Sequence, residues 1–426
     1  MKVLVIGGGG REHALVWSLQ QSSKVTEVVC APGNGGIAAI ARCLPVDVKD
    51  VDSMLAVVAQ EQPALTVVGP EIPLAAGIVD AMQARGLRVF GPTQAAAQLE
   101  SSKSFAKEFM QRHRIPTAHY AVCTSLEEVR KSLPIFHTPL VVKADGLAAG
   151  KGVIICQTKA EAEEAAAGIF SGALLGSSET RLVLEEFLEG EEVSFFALCD
   201  GKHAIPIAAA QDHKRVGEGD TGLNTGGMGA YCTDTLLEPS MVEWLTTHVT
   251  QNVVDGMAQE GTPFTGILFT GLMMTARGPM VLEFNTRWGD PETEAILLRL
   301  ESDLYDLFDA AVDGRADKVA IRLKPGASAC VIAASGGYPG SYRSGLGIDG
   351  LTSTSDAGAV QVFHAGTSLV EGEFRTAGGR VLAVSAAADD LKTALAMIYG
   401  CLESIRFEGM FYRRDIGYRA LAEEGK

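Results

Sequence analysis

Met280-Val281-Leu282-Glu283-Phe284-Asn285-Thr286-Arg287 sets four polar residues among large apolar ones within eight residues. Alternation along a strand predicts Glu283, Asn285 and Arg287 on one face, and Met280, Leu282 and Phe284 on the other. A carboxylate, an amide oxygen and a guanidinium on one strand face are costly to bury unless a ligand fills the space between them. Carboxylate plus carbonyl oxygen suits Mg²⁺, which takes one or two protein ligands and leaves the rest of its shell to phosphate and water. Arg287 can then grip a carboxylate or phosphate with two parallel N–H groups. Gly289-Asp290-Pro291-Glu292 follows, leading into a helix expected at 292–300, and part of its acidity reads as N-terminal capping. A strand is expected before the motif too, at 266–274.

Upstream, Asp145-Gly146-Leu147-Ala148-Ala149-Gly150-Lys151-Gly152 looks like a phosphate loop but fails the Walker pattern twice. Asp145 stands at the first glycine position, and Gly152 follows the lysine where Ser or Thr is needed. Strands are expected on both sides, at 140–144 and 152–156, so the segment reads as a glycine hairpin that folds over a triphosphate. Lys151 would deliver charge from the hairpin, and Lys143 would add a second cation. After a helix at 159–170, a strand at 182–187 carries Glu185 and Glu186, an acidic pair out of place in an apolar strand. Backbone there suits an adenine edge, and a carboxylate suits ribose hydroxyls. A strand at 193–199 follows, then two charged or glycine-rich stretches at 211–215 and 220–229. Long loops of this kind inside compact domains are usually functional. Lys214 or Arg215 could neutralise a transferring phosphoryl group, with Asn224 and the glycines clasping substrate.

The first hundred residues read differently. Apolar runs at 3–6, 27–30, 65–68 and 88–90 alternate with helical patterns, and each ends in a Gly/Pro loop. That pattern predicts a parallel α/β sheet, whose ligands collect at the carboxyl ends of the strands. The glycines at 7–10 do not make a dinucleotide fingerprint. Glu12 stands where a third small residue is required, and Ala31-Pro32 where an acidic one is required. A glycine loop entering a helix still makes an anion site from backbone N–H groups. A helix is expected at 101–114, a linker at 314–325, and beyond it short strands and hairpins with one helix at 391–404.

Composition narrows the class. With 47% hydrophobic and 21% charged residues the chain can bury a core, and 426 residues allow roughly two to four domains. A net charge of −16 disfavours nucleic acid and anionic lipid as partners. No stretch of 18 apolar residues occurs, and the run at 3–6 is too short for a signal peptide, so a cytoplasmic protein without membrane association is expected. The eight cysteines include no C-x-x-C pair and read as buried thiols. No G-x-S-x-G, H-E-x-x-H or kinase motif set is present.

In order along the chain stand GGREHA at 9–14, APGN at 31–34, GPE at 69–71, KADGLAAGKGV at 143–153 and EEFL at 185–188. QDHKR at 211–215, NTGGMGAY at 224–231, EFN at 283–285, GDPET at 289–293 and SGGYPG at 335–340 follow. Through these segments, over essentially its whole length, the chain resembles the phosphoribosylamine–glycine ligase (glycinamide ribonucleotide synthetase) family of ATP-grasp enzymes. The resemblance implies an α/β protein of three parts. These are a parallel α/β substrate-binding domain at 1–100, an ATP-grasp α+β domain at 101–313 with a lid at about 120–192, and a β-rich α+β domain at 326–426. It implies ligation of glycine to 5-phosphoribosylamine through a glycyl phosphate, with ATP and Mg²⁺ (or Mn²⁺), by a monomer acting on small molecules.

Roles carry over residue by residue. Lys103, Lys143, Gly150, Lys151 and Gly152 would meet ATP phosphates; Glu185, Glu186, Phe187 and Leu188 would form the adenine hinge, and Glu192 would hold the ribose. Glu283 and Asn285 would hold the metal, while Lys214, Arg287, Asp212 and Asn224 would line the reaction centre. Gly9, Gly10, Asn34, Glu71, Gly226 and Asp290 would bind the acceptor or glycine. The 266–274 strand lacks the carboxylate that other ATP-grasp enzymes often place there, so few protein ligands to the metal are expected. Another ATP-grasp ligase or carboxylase is the alternative, and a nucleotide sensor without turnover is the alternative from a different class.

Overall fold

The computed structural model describes residues 1–147, 152–174, 176, 180–351 and 360–424. The N-terminal sheet is parallel and five-stranded, in the order Arg42–Cys43, Glu27–Pro32, Lys2–Gly7, Leu65–Val68, Val89–Phe90. Val3, Leu4, Val5 and Ile6 are all buried, which is why this strand reads as an unbroken apolar run. Four of its strands are those expected; the fifth, Arg42–Cys43, is too short to leave a periodic signal. Gly7 pairs with Pro32 and Ile6 with Val68, so three Gly/Pro loops meet at one sheet end.

A separate antiparallel sheet forms the lid: Tyr120–Cys123, Leu182–Glu186, Leu140–Ala144 and Val153–Cys156, with helices Leu126–Ser132 and Lys159–Ser171. The hairpin between its last two strands in that order closes through Ala144 N–H donating to the Gly152 carbonyl at 2.8 Å. The helix expected at 101–114 spans Lys103–Arg112; Ser102 leaves the helical region, separates it from a short helix at Gln98–Ser101 and caps it through Phe105 N–H at 3.2 Å.

The third sheet has eight strands. Gly278–Asn285, Thr265–Thr275, Glu191–Asp200, Ala204–Asp212 and Gly229–Thr233 continue without interruption into Ala327–Ala334, Arg380–Ala388 and Val360–His364. The join is the antiparallel pairing of Tyr231 with Ala329 and its neighbours. Cys330, Ile332 and Ala334 share a core with helix Glu292–Arg299, and Ala329, Val331 and Ala333 with helix Leu391–Leu402. The period-2 alternation thus covers both faces. Residues 314–325, expected as a linker, are instead held to the central part: Ala316 N–H donates to Asp200 at 2.9 Å, and Lys324 N–H to the Arg299 carbonyl at 2.7 Å. Their polar composition reads as a linker because the bonds that hold them are to backbone and to a distant carboxylate.

Where the first helix meets strand Val360–His364, two buried histidines touch. His364 N–H donates to His13 Nδ1 at 2.8 Å, and His364 Nδ1 lies 3.0 Å from Thr367 Oγ1. Burial, aided by the neighbouring His364, pushes His13 down to about 3, and burial pushes His364 down to about 4. Protonating His13 Nδ1 would set two donors against each other. Below pH 6.5 the unfolded chain takes up protons that the folded histidines refuse, so this stability is present above that pH and is lost as pH falls toward 4. His13→Gln keeps an acceptor without the titration. On going from pH 7 to pH 5 the parent should lose about 2 kcal/mol more unfolding free energy than this variant. Equal losses in urea titrations at the two pH values would remove His13 from this account.

Candidate active site

The strand Gly278–Asn285 does not alternate as expected. Leu272 pairs with Val281 but Gly271 with Glu283, so Leu282 is an extra residue, a bulge. Val281 and Phe284 therefore enter the core, while Met280 and Leu282 are only half-buried. The bulge aims the Leu282 carbonyl outward, where Lys143 Nζ donates to it at 3.2 Å. Beyond it Glu283 and Asn285 do share a face, flanking buried Phe284. Arg287 stands past the strand end, its guanidinium 3.1 Å from Asn285 Oδ1, 2.8 Å from Glu100 and 3.4 Å from Glu71.

On one side of this strand lies a cluster of lysines. Glu283 accepts no hydrogen bond from the described residues. Burial opposes its charge, but Lys214, Lys143, Lys103 and Arg287 outweigh that and hold its carboxyl below the ordinary range. Glu185 bridges Lys107 at 2.9 Å and Lys143 at 3.0 Å, with side chains 2%, 2% and 8% exposed for Glu185, Lys107 and Lys143. Lys107 also donates to Thr117 Oγ1 at 2.7 Å, and burial pushes it down to about 8 against the pull of Glu185. Lys103 Nζ holds the Gly146 carbonyl at 2.9 Å, at the root of the glycine hairpin. Asp145 is turned away to helix Lys103–Arg112, accepting from Ser104 N–H at 3.1 Å and Ser104 Oγ at 2.6 Å.

Lys214 pairs with Glu192 at 2.6 Å. Burial pushes Asp212 up to about 7; Lys214 opposes this, and Glu292, Glu192 and Glu283 add to it. Glu186 meets Arg277 at 2.7 Å, Phe187 is half-buried and Leu188 buried. Gly152 is buried, and Gly150 and Lys151 lie outside the described residues.

On the other side the glycine loop meets the N-terminal sheet. Gly7 has φ +131°, and a Cβ there would come within 2.5 Å of Glu12 Cγ. Glu12 folds back to accept from Gly9 N–H at 2.6 Å and pairs with Arg11 at 2.6 Å, so it caps the helix that a dinucleotide fold would leave free. Asp290 lies at the same helix end, 3.4 Å from Arg11 N, and pairs with Arg380 at 3.0 Å. It does not cap helix Glu292–Arg299 as expected; Pro291 stands at the N-cap and no side chain caps that end, because Arg380 and the Arg11 N–H draw Asp290 away.

Asn34 is turned inward, donating to the Gly8 carbonyl at 3.0 Å and the His364 carbonyl at 2.6 Å. It also accepts from Ile37 N–H at 2.9 Å. Asn224 stands on an exposed hairpin strand, Thr221–Asn224, opposite Arg215. That hairpin is tied to the C-terminal part by Arg413, 2.9 Å from Asp220.

Three residues of this arrangement escape sequence reasoning. Lys107 left a signal: it follows Lys103 by one helical turn, so two lysines share a face. Glu100, which holds Thr286 N–H at 2.7 Å and Arg287 at 2.8 Å, left none, and neither did Arg380.

A lid sheet, a lysine cluster around a bare carboxylate and an extended antiparallel sheet beneath define an ATP-grasp protein. The chain matches the three phosphoribosylglycinamide synthetase models in order: the N domain over residues 1–100, the ATP-grasp (A) domain over 101–293 and the C domain over 328–419. It belongs to the phosphoribosylglycinamide synthetase family. It is 51% identical over 428 residues to the phosphoribosylamine–glycine ligase of Xanthomonas axonopodis pv. citri, covering 100% of this chain and 99% of that one. With the ligase of the same name from Pseudomonas aeruginosa the identity is 48%, over 100% and 99% of the two chains. The crystal structure of phosphoribosylamine–glycine ligase from Thermotoga maritima superposes with a TM-score of 0.87 at 32% identity, over 98% and 100% of the chains. Biotin carboxylase from Campylobacter jejuni shares the fold alone, with a TM-score of 0.73 at 14% identity, over 97% and 93%.

Proposed function

We propose that this chain is an ATP-dependent ligase joining glycine to 5-phosphoribosylamine, giving glycinamide ribonucleotide, ADP and phosphate. The observation that carries the reading is Glu283, a carboxylate without a hydrogen-bond partner among the described residues, in a field of lysines. Such a group fits a divalent cation, and Glu283 with the remaining lone pair of Asn285 Oδ1 would hold it. When bound, Mg²⁺ (or Mn²⁺) would neutralise charge on the nucleotide phosphates.

The chain's own residues account for the rest. Lys103, Lys143 and Lys151 would meet the phosphates, and Gly150 and Gly152 would let the loop close. Residues Glu185 to Leu188 would face adenine, and Glu192 would take the ribose once it releases Lys214. A glycine carboxylate oxygen attacks the γ-phosphorus as the bond to ADP breaks, and Lys214 and Arg287 face the charge that develops. The acceptor amine then attacks the acyl carbon, and phosphate leaves. Our choice for the group that takes the proton shed by the amine is Asp212, whose carboxyl burial pushes up to about 7. Gly9, Gly10, Asn34, Glu71, Gly226 and Asp290 would surround the acceptor and glycine, and Asn224 would close over them. We read the protein as a cytoplasmic monomer, and its eight unpaired cysteines accord with a reducing compartment.

ADP release with ATP, Mg²⁺, glycine and freshly generated phosphoribosylamine is expected to need all four. Turnover that ignores glycine or phosphoribosylamine would leave the fold and sink the substrate assignment.

A further inference from the structure

Arg380 stands at the start of strand Arg380–Ala388, in the C-terminal part of the chain. Ala333 pairs with Leu382 but Ala334 with Arg380, so Val381 is extra and the strand bulges at that point. The guanidinium reaches from there into the active site. Its Nη1 donates to the Gly226 carbonyl at 2.8 Å, the Asp290 carbonyl at 2.9 Å and the Gly227 carbonyl at 3.3 Å, and its Nη2 meets the Asp290 carboxylate at 3.0 Å. Gly226 lies flat on it: a Cβ there would come within 3.1 Å of Arg380 Cζ. Gly226 N–H is held by a second residue from the same part, Tyr338, at 3.2 Å from its hydroxyl. Gly227 has φ +112°, and a Cβ there would sit 2.5 Å from Pro291 Cδ, so the two segments meet too closely for any side chain.

The other oxygen of Asp290 faces Arg11 N–H at the end of the first helix. One guanidinium therefore ties together the glycine stretch, the Asp290 turn and, through Asp290, the N-terminal sheet's glycine loop. Planar, five-donor geometry is needed for this, which an ammonium lacks. Sheet pairing does not account for these contacts, since the strands on either side of Arg380 are already paired.

We propose that Arg380 is a positioning residue through which the C-terminal part sets the geometry of the acceptor side of the active site. The proposal rests on the ligase reading above. It assigns Arg380 no contact with nucleotide, so loss of the guanidinium loosens Gly226 and Asp290 while leaving the lysine cluster in place.

The test is steady-state kinetics of the full-length enzyme in the direction of ATP formation, from glycinamide ribonucleotide, ADP and phosphate, where the ribonucleotide substrate is stable. Arg380→Ala is expected to raise KM for the ribonucleotide at least about tenfold, with KM for ADP within about twofold of the parent. Added guanidinium should recover much of the loss at low ribonucleotide concentration. Arg380→Lys should recover little, and serves as the test if the alanine variant does not fold. An unchanged ribonucleotide KM, a parallel rise in both KM values, or full activity with lysine would overturn the proposal. A parent enzyme that turns over while the variant matches it sinks only the role of Arg380. A parent that forms no ATP sinks the ligase reading, and the proposal with it.

Discussion

Glu283→Gln is expected to lower turnover by about a hundredfold to a thousandfold and to shift the Mg²⁺ dependence to higher concentration. The substitution keeps size and backbone and removes one charge. Its effect follows from the electrostatics of the site: Lys214, Lys143 and Lys103 crowd this carboxylate, and no hydrogen bond engages it among the described residues. An amide in its place offers one neutral oxygen to a divalent cation and leaves the lysines facing each other. The folded protein should survive, because Glu283 is half-buried and carries no packing contact that glutamine lacks. Far-ultraviolet circular dichroism and the thermal midpoint should therefore stay close to the parent. A variant keeping more than about a tenth of parental turnover would mean that the metal is held elsewhere.

Glu185→Ala should act on the fold instead. Lys107, Glu185 and Lys143 are buried together, and removing the carboxylate leaves two ammonium groups whose other carboxylate neighbour, Glu283, pairs directly with neither. Breaking a buried ion pair from one side costs about 3–5 kcal/mol, since the surviving charge stays desolvated. Lys107 has Thr117 as its other partner, and Lys143 has the Leu282 carbonyl. Neither is charged. The same substitution cuts the link between the lid strand Leu182–Glu186 and helix Lys103–Arg112. Lys107→Met should cost less, because Glu185 keeps Lys143. The double variant Glu185→Leu with Lys107→Met should regain part of the loss. Urea unfolding of the four proteins measures this, and a loss below about 1 kcal/mol for Glu185→Ala would show that water reaches the trio.

These two sites differ in how far the sequence exposed them. Glu283 and Asn285 stood out because a buried strand rarely carries a carboxylate and an amide, and the structure does put them on one face. The bulge at Leu282 was hidden, since an extra residue is defined only by the partner strand. Glu185 looked anomalous for the same reason as Glu283, yet its partner Lys107 lies in an ordinary amphipathic helix. Four of the five strands of the N-terminal sheet were legible, because strands covered on both faces carry unbroken apolar runs. Arg380 and Glu100 were not, since a charged residue announces nothing until the chain folds back on it. The continuity of the eight-stranded sheet was hidden likewise. It depends on a pairing between Gly229–Thr233 and Ala327–Ala334, segments separated by two strands and four α-helices.

That pairing matters during synthesis as well as afterwards. Until Ala327–Ala334 has emerged from the ribosome, the strand Gly229–Thr233 borders the nascent sheet with its outer backbone groups unmatched. Such a border is a template for any neighbouring chain. The last hundred or so residues thus act as the polypeptide's own guard against self-association, and a chain stopped short of them is a sticky fragment rather than a smaller enzyme.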